Sequence, residues 1–464
     1  MSLLAFLAAA SAAMQPTPLD RAVERLEPST VIEGDAVEVM TIEEMMAATD
    51  VPAVSIALVD DNRIVALRAY GMADPEREIA ADIGTRFQAA SLSKSVAAYG
   101  AMVMVEQGTL DLDAPINSYL ESWQLPQGEY APATLRTLLS HRAGTSVSGF
   151  PGYSLRETVP STIEVLDGLG NTAPVVIDSA PGEFRYSGGG YTVAQLAMVE
   201  QEGQPFEDIL ARLVLIPLGM DRSSYAQPPR GPASTIAAAH EGDGAPVEGG
   251  YHFYPEQAAA GLWTTPGDLA LFLIAANQTL AGSEAHPLSP AGMAEMLAAP
   301  EEDAGYALGF GIYGEGEDFQ FSHGGSNMGY KSLMVSFPER GEAMVIMTNG
   351  DRGAEVFQSV ATAVAKEMGW NAFEQRRLVP ADWGPADMEQ VVGGYALGED
   401  IYRFSIVDGE LVLTDPDGET GPMIALADDQ IYIVEGAQVI DIDRDEDGNV
   451  IGVSAGGTKL PKVE

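Results

Sequence analysis

Ser91-Leu92-Ser93-Lys94, continued by Ser95-Val96-Ala97-Ala98-Tyr99-Gly100-Ala101-Met102-Val103-Met104-Val105-Glu106-Gln107, is the stretch from which the rest of the chain can be organised. The run is apolar nearly all round, and Gly108 supplies a C-terminal stop, which predicts a buried central helix whose first turn faces a cleft. A serine three residues before a lysine on a helix shares its face, with Cβ atoms about 5–6 Å apart. A serine hydroxyl is a weak nucleophile and needs a base within reach; lysine serves only when burial or a neighbouring cation leaves it partly neutral. The helix N-terminus adds partial positive charge that favours an oxyanion. Alone, such a tetrad equally fits an N-capped helix with a solvated lysine.

Two further segments supply what Ser91 and Lys94 lack. In Phe184-Arg185-Tyr186-Ser187-Gly188-Gly189-Gly190-Tyr191, three successive glycines allow close backbone approach beside a tyrosine that can hold or shuttle a proton. In Phe321-Ser322-His323-Gly324-Gly325-Ser326-Asn327, a strand-like segment runs into glycines that let a backbone N–H serve as an oxyanion donor. Separately, a core tyrosine beside a turn and a histidine in a hairpin explain them as well.

Together, the three segments resemble the S-x-x-K, Y-x-N and K-T-G elements of the serine β-lactamase and penicillin-binding-protein superfamily. Their order and separations are similar to the group holding class C β-lactamases, serine-type D-alanyl-D-alanine carboxypeptidases, D-aminopeptidases and family VIII esterases. Leu138-Leu139-Ser140-His141-Arg142-Ala143-Gly144, Pro217-Leu218-Gly219-Met220 and Ala259 to Leu269 extend the resemblance, which runs from about Asp35 to about Met368. It implies that Ser91 is acylated, that Lys94 takes or relays its proton, and that Tyr186 passes a proton to the leaving group. The N–H groups of Ser91 and Ser326 would form the oxyanion hole, with Gly324 and Gly325 on the substrate-binding strand. His323 stands where β-lactamases carry lysine and would donate to a substrate carboxylate, its charge conditional near neutral pH. Gly188 stands where the pattern has asparagine, removing a contact to β-lactams and leaving room either for a bulkier acyl group or for a side chain from another loop. Nothing resembles the deacylating glutamate of class A enzymes.

Composition narrows the function further. Asp and Glu outnumber Lys and Arg by 68 to 24, a formal charge of −44, which argues against nucleic-acid partners and anionic membrane surfaces. There is no cysteine, and the five histidines, His141, His240, His252, His286 and His323, show no zinc-ligand spacing. No cofactor and no metal are implied. No run reaches the roughly 18 apolar residues of a membrane span, so stable membrane insertion is not expected. Leu3 to Ala13 has the length of a signal-peptide core and ends in an A-x-A-like site without a basic start, which predicts a leader over residues 1–18 and a periplasmic or secreted protein.

Val54–Val59, Arg63–Tyr70, Lys331–Phe337 and Ala343–Thr348 read as strands. Phe206–Leu215, Asp268–Ala276 and Val356–Met368 read as helices, the second opened by a Thr265/Asp268 capping box. The expected class is α/β (α+β): an antiparallel sheet flanked by helices with a helical subdomain over residues 19–378. Pro380, Trp383, Gly384 and Pro385 mark a linker over 379–388. Short strands with Asp-Gly turns over 389–464 predict a small antiparallel barrel-like domain, similar to the lipocalin-like appendages of some β-lactamase-like hydrolases.

Two motifs there are discounted. Asp443-Arg444-Asp445-Glu446-Asp447-Gly448 begins like a calcium loop, yet Ser454 stands where a bidentate glutamate is needed. Gly452-Val453-Ser454-Ala455-Gly456 matches G-x-S-x-G, but no histidine follows His323 to complete a triad in that order. Tyr251, His252, Phe253, Tyr254 and Trp263 either shape a pocket or form ordinary core. The expected activity is a serine hydrolase that forms an acyl-enzyme on small esters or peptide-like amides. The alternatives are a penicillin-recognising sensor with little turnover and a genuine β-lactamase.

Overall fold

The computed structural model describes residues 15–299 and 305–463, apart from 398–399, 417, 419, 428, 435–437 and 456–457. Most of the expected leader, residues 1–14, lies outside the described residues. The chain divides into two compact units, one running to Leu26 and resuming over Met40–Ala372, the other made of Glu27–Val39 and the chain from Phe373 onward.

The first unit is built on a seven-stranded sheet of β1 (Ala53–Asp60), β2 (Arg63–Asp74), β3 (Ile79–Ala80), β4 (Gly311–Tyr313), β5 (Gln320–Asn327), β6 (Tyr330–Phe337) and β7 (Glu342–Thr348). The spatial order is β3-β2-β1-β7-β6-β5-β4, and every neighbouring pair is antiparallel. Strand β1 is buried from Ala53 to Val59 and β7 from Ala343 to Thr348. They read as continuous apolar runs because helices cover them, where a half-solvated antiparallel sheet would alternate.

Four helices position the site: α1 (Leu92–Glu106), α2 (Gly188–Glu202), α3 (Pro266–Leu280) and α4 (Gly353–Met368). Helix α3 packs on β1 and β7, and α4 packs on β6 and β7. Thr265 caps α3 by accepting from Asp268 N–H, but the Asp268 carboxylate turns to Arg222 N–H and the Ser223 hydroxyl, so only half of the expected capping box forms. Helix α1 is buried at every residue from Leu92 to Met104. It touches α2, the short helix Gln257–Ala260, and the Phe206–Leu210 helix with its π-turn continuation over Ala211–Leu215. A Cβ at Gly100 would stand 2.8 Å from Leu210 Cδ1, which is why this crossing needs glycine. No helix among the described residues is long and apolar enough to cross a membrane.

The second unit holds eight strands, β8 (Gly393–Leu397), β9 (Asp400–Val407), β10 (Glu410–Thr414), β11 (Thr420–Leu426), β12 (Gln430–Ile433), β13 (Gln438–Arg444), β14 (Val450–Ala455) and β15 (Thr458–Pro461), each antiparallel to the next. Val463 N–H donates to Gly394 O at 2.8 Å, nearly closing the barrel. Its core includes Val391, Tyr395, Phe404, Leu411, Ile431 and Ile440. Asp408 and Gly409, with φ of 53° and 91°, make the tight turn between β9 and β10 that the Asp-Gly signal predicts.

Two sequence boundaries differ from the structure. The expected linker carries a helix over Pro385–Val391, started by Pro385 after Gly384. Glu27–Val39, assigned from sequence to the first domain, belongs to the second unit, where Thr30–Ile32 pairs in parallel with Arg376–Leu378. Three-residue strands with a partner some 350 residues away leave no local signature. The discounted motifs are ordinary turns and strands: Asp445 accepts from the N–H groups of Asp447 and Asn449, and Ser454 lies in a strand paired on both sides.

Candidate active site

Ser91 immediately precedes α1 with φ −65° and ψ −10°, and its side chain makes no capping bond, so the hydroxyl is free for other partners. Ala90 before it has φ +50°, a left-handed conformation that costs a non-glycine residue about 1–2 kcal/mol. Four contacts hold it there. Ser93 Oγ donates to Ala90 O at 2.5 Å, Ser93 N–H to the same oxygen at 3.0 Å, Ser332 Oγ to Ala89 O at 2.9 Å, and Ala89 N–H to Leu262 O at 2.8 Å. Strain at the residue before the serine is thus imposed by the surrounding core.

Lys94 is 2 % exposed, with Nζ 3.0 Å from Ser91 Oγ and donating to Ala259 O at 2.8 Å. Charged, it donates to the serine; neutral, it accepts the serine proton. Its ammonium also stands over the Tyr186 ring, 5.0 Å from the centroid, so the two residues meet ammonium to ring.

Tyr186 sits one residue before Ser187, whose hydroxyl caps α2 by accepting from Gly190 N–H at 3.0 Å. The glycines let α2 start against the 145–148 loop: a Cβ at Gly189 would lie 2.8 Å from Ser146 O, and one at Gly188 would lie 2.9 Å from the Phe150 ring. Of the two sequence readings of Gly188, the side chain from another loop is the one found. Beneath Tyr186 lies His141, fully buried with φ +58° and its ring 4.2 Å from the tyrosine ring. Its Nδ1 accepts Ser187 N–H at 3.0 Å, which assigns the proton to Nε2. Burial, with Lys94 and His323 nearby, holds this imidazole well below its usual pKa.

The third segment is a strand throughout, and its alternation decides what each residue does. Gly324 and Ser326 are exposed on one side; His323, Gly325 and Asn327 are buried on the other. His323 therefore does not reach a substrate carboxylate as expected. Its Nδ1–H donates to Gly324 O at 2.5 Å, and its Nε2 accepts from Tyr306 O–H at 3.0 Å, which occupies both ring nitrogens. Burial, with Lys94 adding repulsion, pushes its pKa down to about 3, so it is neutral. A Cβ at Gly325 would come within 2.5 Å of Ala89 O, so glycine is needed where this strand crosses the start of α1.

Ser91, Tyr186, Gly324, Gly325 and Ser326 line one pocket of about 560 Å³. Five residues with no sequence motif complete it: Ser148 and Gly149 from the loop before α2, Lys331 from β6, and Ala354 and Phe357 from α4. Only the apolar periodicity of α4 could have signalled them, and it points to core as readily. Tyr254 and Trp263 are fully buried, and Tyr251 packs edge-on to Trp263 at 5.0 Å, so the aromatic cluster Tyr251 to Trp263 is core.

A family profile described as Beta-lactamase matches residues 40–368, well over half of the chain. PbpX of Bacillus subtilis, named as a penicillin-binding protein, is 26% identical over 168 residues, covering 36% of this chain and 40% of that protein. Esterase EstB of Burkholderia gladioli is 31% identical over 185 residues, 35% of this chain and 45% of that one. The chain thus spans less than half the length of these two relatives. The structure of D-amino acid amidase from Ochrobactrum anthropi SV3 complexed with L-phenylalanine amide superposes with a TM-score of 0.58 at 23% identity, covering 76% of this chain and all of that one, which shows a shared fold. The chain belongs to the Beta-lactamase family, whose members are typically serine hydrolases.

Proposed function

We propose that this protein is a serine hydrolase that turns over small esters or peptide-like amides through an acyl-enzyme on Ser91. The observation that carries the reading is the 3.0 Å approach of the buried Lys94 Nζ to Ser91 Oγ, at the edge of a pocket shared with Tyr186. As Ser91 Oγ bonds to the substrate carbonyl carbon, its proton passes to neutral Lys94. The carbonyl oxygen becomes an oxyanion, with the backbone N–H groups of Ser91 and Ser326 as donors. Tyr186 delivers a proton to the departing alkoxide or amine, and water activated on the same side releases the acyl group. The names of an esterase and a D-amino acid amidase among the similar proteins support both bond types. Phe150 against Gly188 supports small acyclic substrates over β-lactams, because the space of an amide-holding side chain is taken.

Mixing the protein with excess 4-nitrophenyl butyrate tests the reading. Nitrophenolate release far beyond one equivalent per chain is the expected outcome. A burst of one equivalent that then stops, leaving a stable adduct, would make the protein a covalent sensor instead.

A further inference from the structure

Lys331 is the one charged side chain lining the Ser91 pocket. It lies directly across from Ser326 in the β5–β6 register, and opposed residues of an antiparallel pair point to the same face. Ser326 faces the pocket, and so does Lys331. Its side chain is only 16% exposed, unlike the usual lysine that carries its ammonium out to water. Two bonds fix it: Nζ donates to Asp351 Oδ1 at 2.6 Å and to Asn327 O at 3.2 Å. Asp351 is itself held by Gly329 N–H at 2.8 Å. An ammonium has three donors, so one remains. Ala354 and Phe357 flank it with apolar surface, which limits the water that competes for an anion.

We propose that Lys331 is the specificity-determining residue of this pocket, binding a carboxylate on the leaving portion of an ester or amide, so that N-acylated amino acids are the simplest substrates. The inference rests on the acyl-enzyme reading. His323 cannot take the role, being neutral, buried and engaged at both nitrogens. On a chain with formal charge −44 the diffuse field repels anions, so an anionic substrate needs a cation fixed inside the pocket. Asp351 does not line the pocket; it orders Lys331 and keeps it charged, and the free donor meets the substrate.

The test uses two butyrate esters with the same acyl group and similar chromophores, one of 4-nitrophenol and one of 5-hydroxy-2-nitrobenzoic acid, which carries a carboxylate on the leaving group. The readout is the ratio of kcat/KM for the carboxylated ester to that for the neutral one, which does not depend on the fraction of protein folded. In Lys331→Met the ratio is expected to fall by about tenfold or more, chiefly through KM, the scale of a lost charged hydrogen bond. In Lys331→Arg most of it should return. An unchanged ratio in Lys331→Met would overturn the proposal and leave the Lys331–Asp351 pair as a structural tie. Should Ser91→Ala hydrolyse the neutral ester like the wild type, the acyl-enzyme reading fails; a dead Ser91→Ala with an unmoved ratio overturns Lys331 alone. Calorimetric binding of 5-hydroxy-2-nitrobenzoate to Ser91→Ala, with and without Lys331→Met, reads the same contact without turnover. Equal affinities would overturn it again.

Discussion

The helix wall and the strand wall of the Ser91 pocket are built under different constraints. On the helix wall, Ser91 and Lys94 meet because three residues of α-helix place them on one face, and the spacing alone dictates the contact. On the strand wall, the period of two divides Ser322 to Asn327 between pocket and core, and it puts the residue with the most tempting chemistry, His323, on the buried side. The charge on that wall comes from the neighbouring strand, through Lys331 opposite Ser326. A helical motif brings its own partner; a strand motif borrows one across the sheet.

The largest expected effects lie on the helix wall. Lys94→Met should lower kcat for 4-nitrophenyl butyrate by about 10³-fold or more, and Tyr186→Phe by about 10²-fold, with KM moving far less. Equal losses in kcat and gains in KM would mean that these residues bind rather than transfer protons.

Next come the two glycines of the strand wall. Gly325→Ala drives a Cβ to within 2.5 Å of Ala89 O, and overpacking of this kind costs about 1–3 kcal/mol, so Tm and activity should fall together. Gly324→Ala meets its nearest atom at 4.0 Å and should keep the wild-type Tm. If both variants melt alike, the alternation ascribed to this strand is wrong.

A smaller effect tests the ground beneath Lys94. Glu256 is fully buried just before the Gln257–Ala260 helix whose Ala259 carbonyl holds Lys94. Neither carboxyl oxygen has a partner among the described residues, and burial pushes the pKa up to about 8 from an ordinary 4.5. Because the folded state holds this proton more tightly than the unfolded chain, the stabilisation is complete below about 4.5 and is lost as pH rises through about 8. Wild-type Tm should therefore decline from neutral to alkaline pH more steeply than that of Glu256→Gln. Parallel curves would contradict the buried, protonated carboxyl. His323 and His141 act in the opposite sense: their depressed values remove stability as pH falls below about 6.5, for His323 down through about 3.

What was legible in the sequence followed short-range rules. The buried α1, the strands β1, β2, β6 and β7, and the Ser91, Lys94 and Tyr186 constellation all announce themselves through local periodicity or spacing. The barrel was visible in its Asp-Gly turns. What was illegible depends on distant pairing: Thr30–Ile32 with Arg376–Leu378, Phe150 against Gly188, and Lys331 across from Ser326. His323 was misplaced because its strand was read as ending before the glycines, whereas β5 runs through them and carries the imidazole inward.

The central claim is that Ser91 is the nucleophile, and it is tested most directly by measuring hydrolysis of 4-nitrophenyl butyrate by wild type and Ser91→Ala, prepared identically, at mildly alkaline pH. The account predicts that the variant loses at least about 10³-fold in kcat while keeping the wild-type Tm. Equal rates in the two proteins would contradict it.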